Sequence, residues 1–343
     1  MNLNPPRTSA AGQLPTARFK LAPQDFVVDE DLGYEPTGEG EHIWIQVRKT
    51  GCNTRDLADR YAEMLGVHSK DIGYSGLKDK NAVTTQWFSI RQPLATELPP
   101  ELAQIEGTEL LRSVRSDRKL RIGSHRSNHF DIVLREVCGE RKTVEVQLAE
   151  IVRRGFPNYF GEQRFGHDGR NIIAARSMFQ NRRKKVTRFK RGIYLSAVRS
   201  WLFNRVLAAR VVSGTWLTVQ AGDVCMLNGS RSVFAAGDEE PELQRRHDEF
   251  DLHVTGPLAG SGQSLVSGDI LTLEQQCLEE EKALLDGLIN AGLKQERRAL
   301  RAIADGLVFD WIDEQTLRLR FGLARGVYAT SLLREIADIS QVE

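Results

Sequence analysis

Short segments in the first part of the chain alternate apolar and polar residues with a period of two, and the pattern returns near the C-terminus. Successive side chains of an extended strand point to opposite faces, so this alternation is typical of a half-buried strand. Together with two short apolar runs, it predicts strands at residues 42–48, 72–74, 87–90, 130–135 and 317–321. A helix is predicted after the first strand, with Asn53 or Thr54 as its N-cap and Gly66 at its end.

The middle of the chain has helical patterns instead, because its apolar residues recur at spacings of three and four. One predicted helix stops at residues 155–157, a second covers residues 198–209 with Ser196 as a suitable cap, and a third covers residues 277–289. The Gly-rich stretch at 255–268 favours turns. The middle therefore forms a separate α+β unit between two strand-rich segments. The length of 343 residues also favours two domains.

The composition excludes several classes of protein. No apolar run approaches the roughly 20 residues that a transmembrane helix needs, and the first residues lack the features of a secretory signal. We therefore expect a cytoplasmic protein with no membrane partner and no obligate protein partner. The four cysteines stand far apart in the sequence, which indicates reduced thiols and not a zinc site or a disulfide framework. Because metal-binding and nucleotide-binding motifs are absent, neither a metal nor another cofactor is expected.

Basic residues are segregated along the chain, although the net charge is only +1. Residues 182–191 contain no acidic residue, and a second basic run covers residues 112–126. Acidic residues gather elsewhere, at 238–240 and 279–281. Such segregation creates a local positive field that attracts a polyanion even when the total charge is near zero. The distribution therefore favours RNA or another polyanion as a partner over a merely solvated basic loop.

Asp79 is the one carboxylate whose neighbouring residues suggest a catalytic role. It stands between Lys78 and Lys80 in a loop that follows a predicted strand and Gly76. Neighbouring cations favour the ionised form of a carboxyl group, which keeps it able to act as a nucleophile. The composition Lys-Asp-Lys-Asn is also common in exposed turns. These residues alone leave both a catalytic carboxylate and an ordinary turn open.

Longer strings of residues resemble the tRNA pseudouridine synthase D family. The string Gly-Leu-Lys-Asp-Lys-Asn-Ala at residues 76–82, followed by Thr84, Gln86 and Trp87, is similar to the catalytic motif of that family. Further motifs of the family occur in the same order at residues 23–30, 38–42, 51–54, 123–130, 157–166 and 329–331. They extend over nearly the whole chain, which makes the resemblance specific.

The resemblance implies a fold and a division into domains. The expected class is α+β, a pseudouridine synthase catalytic domain with a mixed, largely antiparallel sheet plus an inserted α+β domain. The catalytic domain would be discontinuous, at residues 1–153 and 303–343, and the inserted domain would cover residues 154–302. The inserted domain would contact the tRNA backbone through the seven cations of the first basic run, Arg182, Arg183, Lys184, Lys185, Arg188, Lys190 and Arg191.

The resemblance also implies an activity, the isomerisation of a uridine in tRNA to pseudouridine, at position 13 in the D-arm. Asp79 matches the nucleophile of the family. The target base is buried in folded tRNA, so it has to be flipped into a pocket. By analogy the pocket residues are Phe26, Asn128 and Tyr328, with Phe130 close by, although Phe130 is equally suited to the core. Lys20 resembles a basic position that could pair with the carboxylate, and a surface lysine on an edge strand is the alternative. The family carries Phe where this chain has Tyr328, so the added hydroxyl needs a partner.

Two other functions compete with this interpretation. A non-catalytic RNA-binding or RNA-remodelling protein would share the basic segments, so only the role of Asp79 separates it from an enzyme. A metal-dependent nuclease would need clustered carboxylates or histidines, which the sequence lacks. Whether Asp79 would attack the sugar carbon or add to the base stays open.

Overall fold

The computed structural model describes residues 3–8, 14–93, 98–181, 185–237 and 240–341. Packing divides the chain into two compact units. The first, here called the sheet unit, comprises Leu14–Val144, Ala304–Gly326 and Ala337–Glu343. The second, called the helical unit, comprises Met1–Gln13, Glu145–Ile303 and Val327–Ile336. Each unit is therefore assembled from segments that are far apart in the sequence.

The regular elements are numbered along the chain. The strands are β1 (Thr16–Phe19), β2 (Phe26–Asp31), β3 (His42–Thr50), β4 (Ile72–Tyr74), β5 (Val83–Arg91), β6 (Thr108–Ser116), β7 (Ser127–Cys138), β8 (Phe156–Pro157), β9 (Val224–Leu227), β10 (Val233–Ala235), β11 (Leu252–Leu258), β12 (Glu296–Ala299), β13 (Arg301–Ala302), β14 (Asp305–Trp311), β15 (Leu317–Ala324) and β16 (Asp338–Gln341). The α-helices are α1 (Thr54–Met64), α2 (Arg141–Arg154), α3 (Arg170–Gln180), α4 (Arg188–Val212), α5 (Glu240–Asp248), α6 (Gly268–Glu279), α7 (Lys282–Asn290) and α8 (Ala329–Ile336). Short 3-10 helices cover Pro23–Asp25, Ser69–Asp71, Pro100–Gln104, Glu162–Phe165 and His167–Gly169.

Within the described residues, the sheet unit is built on a ten-stranded sheet. Seven strands follow one another in the order β14-β15-β7-β2-β5-β3-β6. Strand β4 pairs with β5, β1 pairs with β7, and β16 pairs with β1. The pairs β2–β5 and β1–β16 are parallel, whereas the other pairs of this sheet are antiparallel. The predicted α+β class with a mixed, largely antiparallel sheet is therefore confirmed.

One face of the sheet is covered by α1. The predicted period of two in β3 buries Ile43, Ile45 and Val47, which pack with Leu57 and Tyr61 of the helix. Asn53 is the N-cap residue of α1, as predicted, with the extended backbone that this position requires. The apolar stripe of α1 thus meets the inward row of β3.

The helical unit is organised around α4. One face of this helix packs Phe203 and Leu207 against Cys225 of β9 and Val254 of β11, in a four-stranded sheet of order β10-β9-β11-β12. Another face packs Leu202 and neighbouring small residues against α3 and α7. A helix that is covered on two sides needs apolar residues around most of its circumference, as the residues of α4 show. None of the helices in the described part of the chain has the length and apolar content that a bilayer crossing needs.

Three local predictions for this unit were wrong. Ser196 is not a cap, because α4 begins at Arg188 and its N-cap is Thr187, whose hydroxyl accepts from the Lys190 amide at 3.3 Å. The first turns of α4 are exposed and carry basic residues, so no apolar stripe marks the start of the helix. The helix predicted at 277–289 is two helices, α6 and α7. Leu278 and Leu284 contact the same core cluster from either side of the break, so the apolar pattern continues through it.

The third error concerns the Gly-rich stretch at 255–268. Its first residues are not a turn, because Thr255–Leu258 belong to β11 and pair with Glu296–Ala299 of β12. A Cβ atom on Gly256 would lie 2.8 Å from Leu300 Cδ2, so any larger residue here would have to displace the Leu300 side chain. Gly268 begins α6, and residues 259–267 between β11 and α6 are irregular, with bends and one isolated bridge from Ser261 to Lys294.

Two histidines and one arginine are buried together in the helical unit. The Arg301 guanidinium donates to the carbonyl oxygen of His247 at 2.6 Å and to Nδ1 of His253 at 3.1–3.2 Å. Burial, together with this cation, lowers the pKa of His247 to about 4 and that of His253 to about 3. Both imidazoles are therefore neutral in the folded protein at pH 7.

We expect the helical unit to lose stability as the pH falls. Unfolded histidines titrate near pH 6.5, whereas the folded ones resist protonation, so the unfolded state takes up protons first. The free energy of unfolding should be at its full value above about pH 6.5. It should then decline towards pH 4 by up to about 1.4 kcal/mol per pH unit for each histidine. Urea titrations followed by circular dichroism between pH 7 and 4 measure this slope.

The variant H247F should flatten the dependence, because an apolar ring of similar shape takes up no proton. H167N is the matched control, since His167 is exposed, and it should leave the slope unchanged. An equal slope in the wild type and H247F would show that other groups cause the acid sensitivity.

Candidate active site

Asp79 lies in the loop between β4 and β5, at residues 75–82 of the sheet unit. Its Oδ2 atom is 2.5 Å from Nζ of Lys20, which lies between β1 and β2. The side chain of Asp79 is 39% exposed, whereas that of Lys20 is only 10% exposed. Lys20 has a positive φ of 59°, a conformation that costs energy in a residue with a side chain. The backbone strain at Lys20 thus occurs where its ammonium group meets an accessible carboxylate.

A row of aromatic rings lies beside this ion pair. Nζ of Lys20 is 4.0 Å from the centroid of the Phe26 ring, a cation–π geometry. The ring centroids of Phe26 and Phe130 are 5.9 Å apart, and those of Phe130 and Phe321 are 5.4 Å apart in a stacked arrangement. The strand order β15-β7-β2 produces this row, because Phe321 pairs with Phe130 and Phe130 pairs with Val28. A charged carboxylate and flat apolar surfaces are therefore brought together.

Asn128 is two residues from Phe130 on β7 and so belongs to the same face of the sheet. It pairs in register with Glu30 of β2. Among the residues that the structure describes, its buried Oδ1 has no hydrogen-bond partner. A buried amide oxygen without a partner costs stability unless a ligand or water satisfies it. Asn128 is therefore available to hold the N–H or O–H group of a ligand.

The loop itself is held from two directions. On one side, Nζ of Lys78 is 2.6 Å from Oε2 of Glu30, and both side chains are nearly or fully buried. The other carboxylate oxygen of Glu30 accepts from the Trp87 amide at 3.3 Å. A buried pair of opposite charges fixes geometry strongly, because separating them would leave an uncompensated charge away from water.

On the other side, three contacts come from the end of β3, the start of α1 and the connection between them. The Lys78 amide donates to Oγ1 of Thr54 at 3.0 Å, and this hydroxyl donates to Oε1 of Gln86 at 2.8 Å. The Gly51 amide donates to the Lys80 carbonyl at 3.1 Å. Nζ of Lys49 donates to the Asp79 carbonyl at 2.9 Å. Three consecutive loop residues, 78–80, are thus anchored through their main-chain atoms.

Sequence reasoning gave three of these anchors no role at the site. Glu30 and Thr54 stand inside the motifs at 23–30 and 51–54, which were noted for their resemblance, and Thr54 was otherwise considered only as a helix cap. Lys49 continues the buried row of β3, in a position where the alternation predicts an apolar residue. The sequence did contain one indication of this role, because Lys49 stands at a position that the alternation assigns to the buried face. The partners of all three depend on tertiary contacts, so their function was not visible in the sequence.

His125 lies next to the same loop. A Cβ atom on Gly76 would be 3.4 Å from Cε1 of His125, an ordinary van der Waals distance, so the imidazole lies directly beside the loop. The Gly123 amide donates to the Ser75 carbonyl at 2.5 Å. Burial and the nearby Lys78 ammonium lower the pKa of His125, which favours a neutral imidazole at pH 7.

Tyr328 belongs to the helical unit, where its hydroxyl has a partner. Oη of Tyr328 accepts from Nε of Arg164 at 2.8 Å, and Nη1 of Arg164 donates to Ser196 at 3.1 Å. The Phe160 ring is 6.0 Å from the Tyr328 ring, centroid to centroid. The guanidinium of Arg298 lies 4.1 Å from the centroid of Phe160, and burial lowers the pKa of Arg298 to about 10. The extra hydroxyl is thus accommodated by the motif at 157–166.

The predicted RNA-contacting run is described only in part. Arg182, Arg183 and Lys184 lie outside the described residues. Lys185 is exposed, as are three cations in the first turn of α4, Arg188, Lys190 and Arg191. Within the described ranges, no cluster of three or more histidine, cysteine or acidic residues has the spacing to hold a metal ion.

Comparison with known proteins gives consistent results. The family model "tRNA pseudouridine synthase D (TruD)" matches residues 11–186 and 170–336. A tRNA pseudouridine synthase D of Methylococcus capsulatus is 44% identical over 94% of this chain and 91% of its own length. The protein of that name from Hydrogenovibrio crunogenus is 42% identical over 94% and 93%, respectively. A crystal structure assigned to this family from Methanosarcina mazei has a TM-score of 0.76, at 20% identity, over 98% of this chain and 96% of its own.

The family model and the relatives point to one class of enzyme, the pseudouridine synthases, which are isomerases. The chain belongs to the tRNA pseudouridine synthase D family. The resemblance seen in the sequence and the prediction of a tRNA pseudouridine synthase are therefore confirmed at the level of the family. The domain boundaries predicted from the family stay a proposal, as do the roles of the individual site residues.

The anchoring of the loop by Thr54 makes a prediction about stability. The variant T54V keeps the shape of the side chain but leaves the Lys78 amide and Oε1 of Gln86 without this partner. Unsatisfied buried polar groups cost about 1–3 kcal/mol, so the free energy of unfolding in urea should fall by that amount. Amide hydrogen exchange in residues 75–82 should also become faster. T16V, at an exposed position of β1, should change neither quantity, and a T54V protein as stable as T16V would show that the anchor is unimportant.

Proposed function

We propose that the chain isomerises uridine 13 in the D-arm of tRNA to pseudouridine, with the carboxylate of Asp79 as the nucleophile. The observation that carries this proposal is the ion pair of Lys20 and Asp79 at 2.5 Å beside the ring of Phe26. A nucleophile for a flipped base has to be accessible, oriented and next to a surface on which the base can stack. The partly exposed Asp79 carboxylate meets these requirements.

The reaction that we propose balances without a cofactor, because the product is an isomer of the substrate. The N1–C1′ glycosidic bond breaks, the uracil turns while it stays bound, and C5 forms a bond with C1′. C5 then loses its proton, and N1 ends with one. The carboxylate of Asp79 either attacks at the sugar carbon or adds to the base in the course of these steps.

The ammonium of Lys20 would orient Asp79 during this sequence. Its contact is to Oδ2, so the carboxylate keeps a second oxygen with which to reach the substrate. The same ammonium lies over Phe26, so the charged pair and the stacking surface hold each other in place. If the carboxylate were mobile, the reaction would be slower, because a displacement of about 1 Å lowers the rate of an orientation-dependent reaction roughly 100-fold.

Phe26, Phe130 and Asn128 would form the binding surface for the uracil. Aromatic faces suit a base that has to rotate, because stacking tolerates different in-plane orientations. The buried Oδ1 of Asn128 is an acceptor that uracil can satisfy through its N–H groups. Tyr328 is proposed as a further contact to the base, with its hydroxyl already engaged by Arg164. A non-catalytic RNA-binding protein would need no accessible carboxylate in such a place.

The first test uses tRNA carrying tritium at C5 of its uridines. The variant D79N should release no tritium above background, because the amide has nearly the same shape but no nucleophilic charge. Its affinity for tRNA should stay within a few-fold of the wild type. The control is D59N, which changes an exposed carboxylate on α1, and it should react at the normal rate. Tritium release by D79N near the wild-type rate would end the assignment of Asp79.

The second test concerns the exposed cations near the start of α4. Replacing Lys185, Arg188, Lys190 and Arg191 with Gln should weaken tRNA binding through lost phosphate contacts. The slope of log affinity against log salt should fall by about one unit for each contact removed. The single-turnover rate at saturating tRNA should change little. Arg245 and Arg246 serve as control positions, because carboxylates of the same unit already neutralise them. Unchanged affinity and slope would mean that the run is only a solvated surface.

A further inference from the structure

Lys49 occupies a position in β3 where a charged side chain is unexpected. It continues the inward row of Ile43, Ile45 and Val47, and it is 0% exposed. On either side it pairs in register with Thr84 of β5 and Thr108 of β6, so it lies in the interior of the sheet. Its aliphatic stem follows the apolar row, and its ammonium group reaches the end of the strand.

The ammonium group makes two defined contacts there. Nζ donates to the carbonyl oxygen of Cys52 at 2.8 Å and to that of Asp79 at 2.9 Å. One contact is to the connection between β3 and α1, and the other is to the loop at residues 75–82. Lys49 therefore joins two segments that the chain order separates, at the residue that carries the proposed nucleophile.

Burial of this charge is costly to the fold. Desolvation lowers the pKa of Lys49, and the Lys78 ammonium lowers it further, while Asp79 and Cys52 oppose the shift. A methionine would fill a similar volume without that cost, and only the carbonyl oxygens of Cys52 and Asp79 would lose a donor. The presence of lysine at this position is thus poorly explained by stability alone.

We propose that Lys49 is a positioning residue for catalysis, which holds the main chain of Asp79 so that its carboxylate points to the substrate. This inference rests on the proposed role of Asp79. Thr54 and Gly51 hold the neighbouring residues, 78 and 80, whereas Lys49 holds Asp79 itself. Lys20 contacts the carboxylate and Lys49 contacts the carbonyl, so two ammonium groups fix the two ends of one residue.

The variant K49M separates positioning from stability. We expect its single-turnover rate at saturating tRNA to fall roughly 10- to 100-fold, because the carboxylate samples unproductive orientations. Its affinity for tRNA should stay within about three-fold, because Lys49 is buried and contacts no RNA. Its melting temperature should stay close to that of the wild type, because removal of the buried charge offsets the loss of the donor to the Cys52 and Asp79 carbonyl oxygens. R48M is the matched control on the opposite, exposed face of β3, and it should react at the normal rate.

A second measurement does not depend on activity. The Lys49 ammonium is titrated by NMR in the wild type and in D79N. The groups that act on it are Asp79 and Lys78 from the loop and Cys52 from the connection. Because the Asp79 carboxylate favours the charged ammonium, the pKa of Lys49 should fall in D79N. It should stay constant in E109Q, which removes a carboxylate from the exposed face.

These outcomes distinguish the inference from the proposed function. If D79N is inactive while K49M reacts at the full rate, only the role of Lys49 is wrong. If K49M loses rate and melting temperature together, Lys49 is merely structural, and the inference is again wrong. If D79N retains activity, the proposed function fails, and the inference fails with it. Should K49M not fold, an equal pKa of Lys49 in the wild type and in D79N would overturn the inference.

Discussion

The position of Asp79 depends on polar groups that the sheet unit buries away from water. Glu30, Lys49 and Thr54 each present such a group at the end of a strand or the start of a helix. Each is satisfied by an atom of the loop at residues 75–82. Opening the loop would leave a charge or a hydroxyl unpaired in the interior, which costs far more than a surface contact is worth. The loop is therefore held closed by the free-energy cost of leaving these buried polar groups without partners.

The helical unit uses buried arginines in a comparable way. The guanidinium of Arg210 forms two 3.0 Å contacts with Asp223 and donates to nearby carbonyl oxygens, and Arg297 pairs with Glu274 in the same manner. Planar guanidinium groups suit such sites, because they satisfy several acceptors at once. Arg301 differs, since its acceptors are neutral, and burial together with its charge lowers the pKa of two histidines and keeps them uncharged. The cations of this unit are thus of two kinds, namely buried guanidinium groups that hold the interior together and exposed groups near the start of α4.

Local patterns in the sequence predicted part of the regular structure, namely five of the sixteen strands that the described residues form and four helical stretches. The alternation at 42–48 and the apolar stripe from Leu57 to Tyr61 correspond to β3 and α1, which pack against each other. The patterns failed where two elements share one core, as at α6 and α7, and where a helix begins in solvent, as at α4. Periodicity records which residues are buried but not where the chain turns between two buried stretches. For the site, residue type identified Asp79 and its cationic neighbours, and family resemblance added Phe26 and Asn128.

Residue type and local periodicity were enough for the α+β class and for five of the strands, because these properties depend on neighbours a few residues away. They left Asp79 open between a catalytic carboxylate and a turn residue, and the family resemblance decided for the former. The grouping of Lys20, Phe26 and Phe130 around Asp79 required the strand order of the sheet. So did the anchoring of the Asp79 carbonyl by Lys49, which is 30 residues away in the chain. Such contacts follow from register and from the burial of charge between strands. No local pattern encodes them, because their energy arises only when distant segments exclude water together.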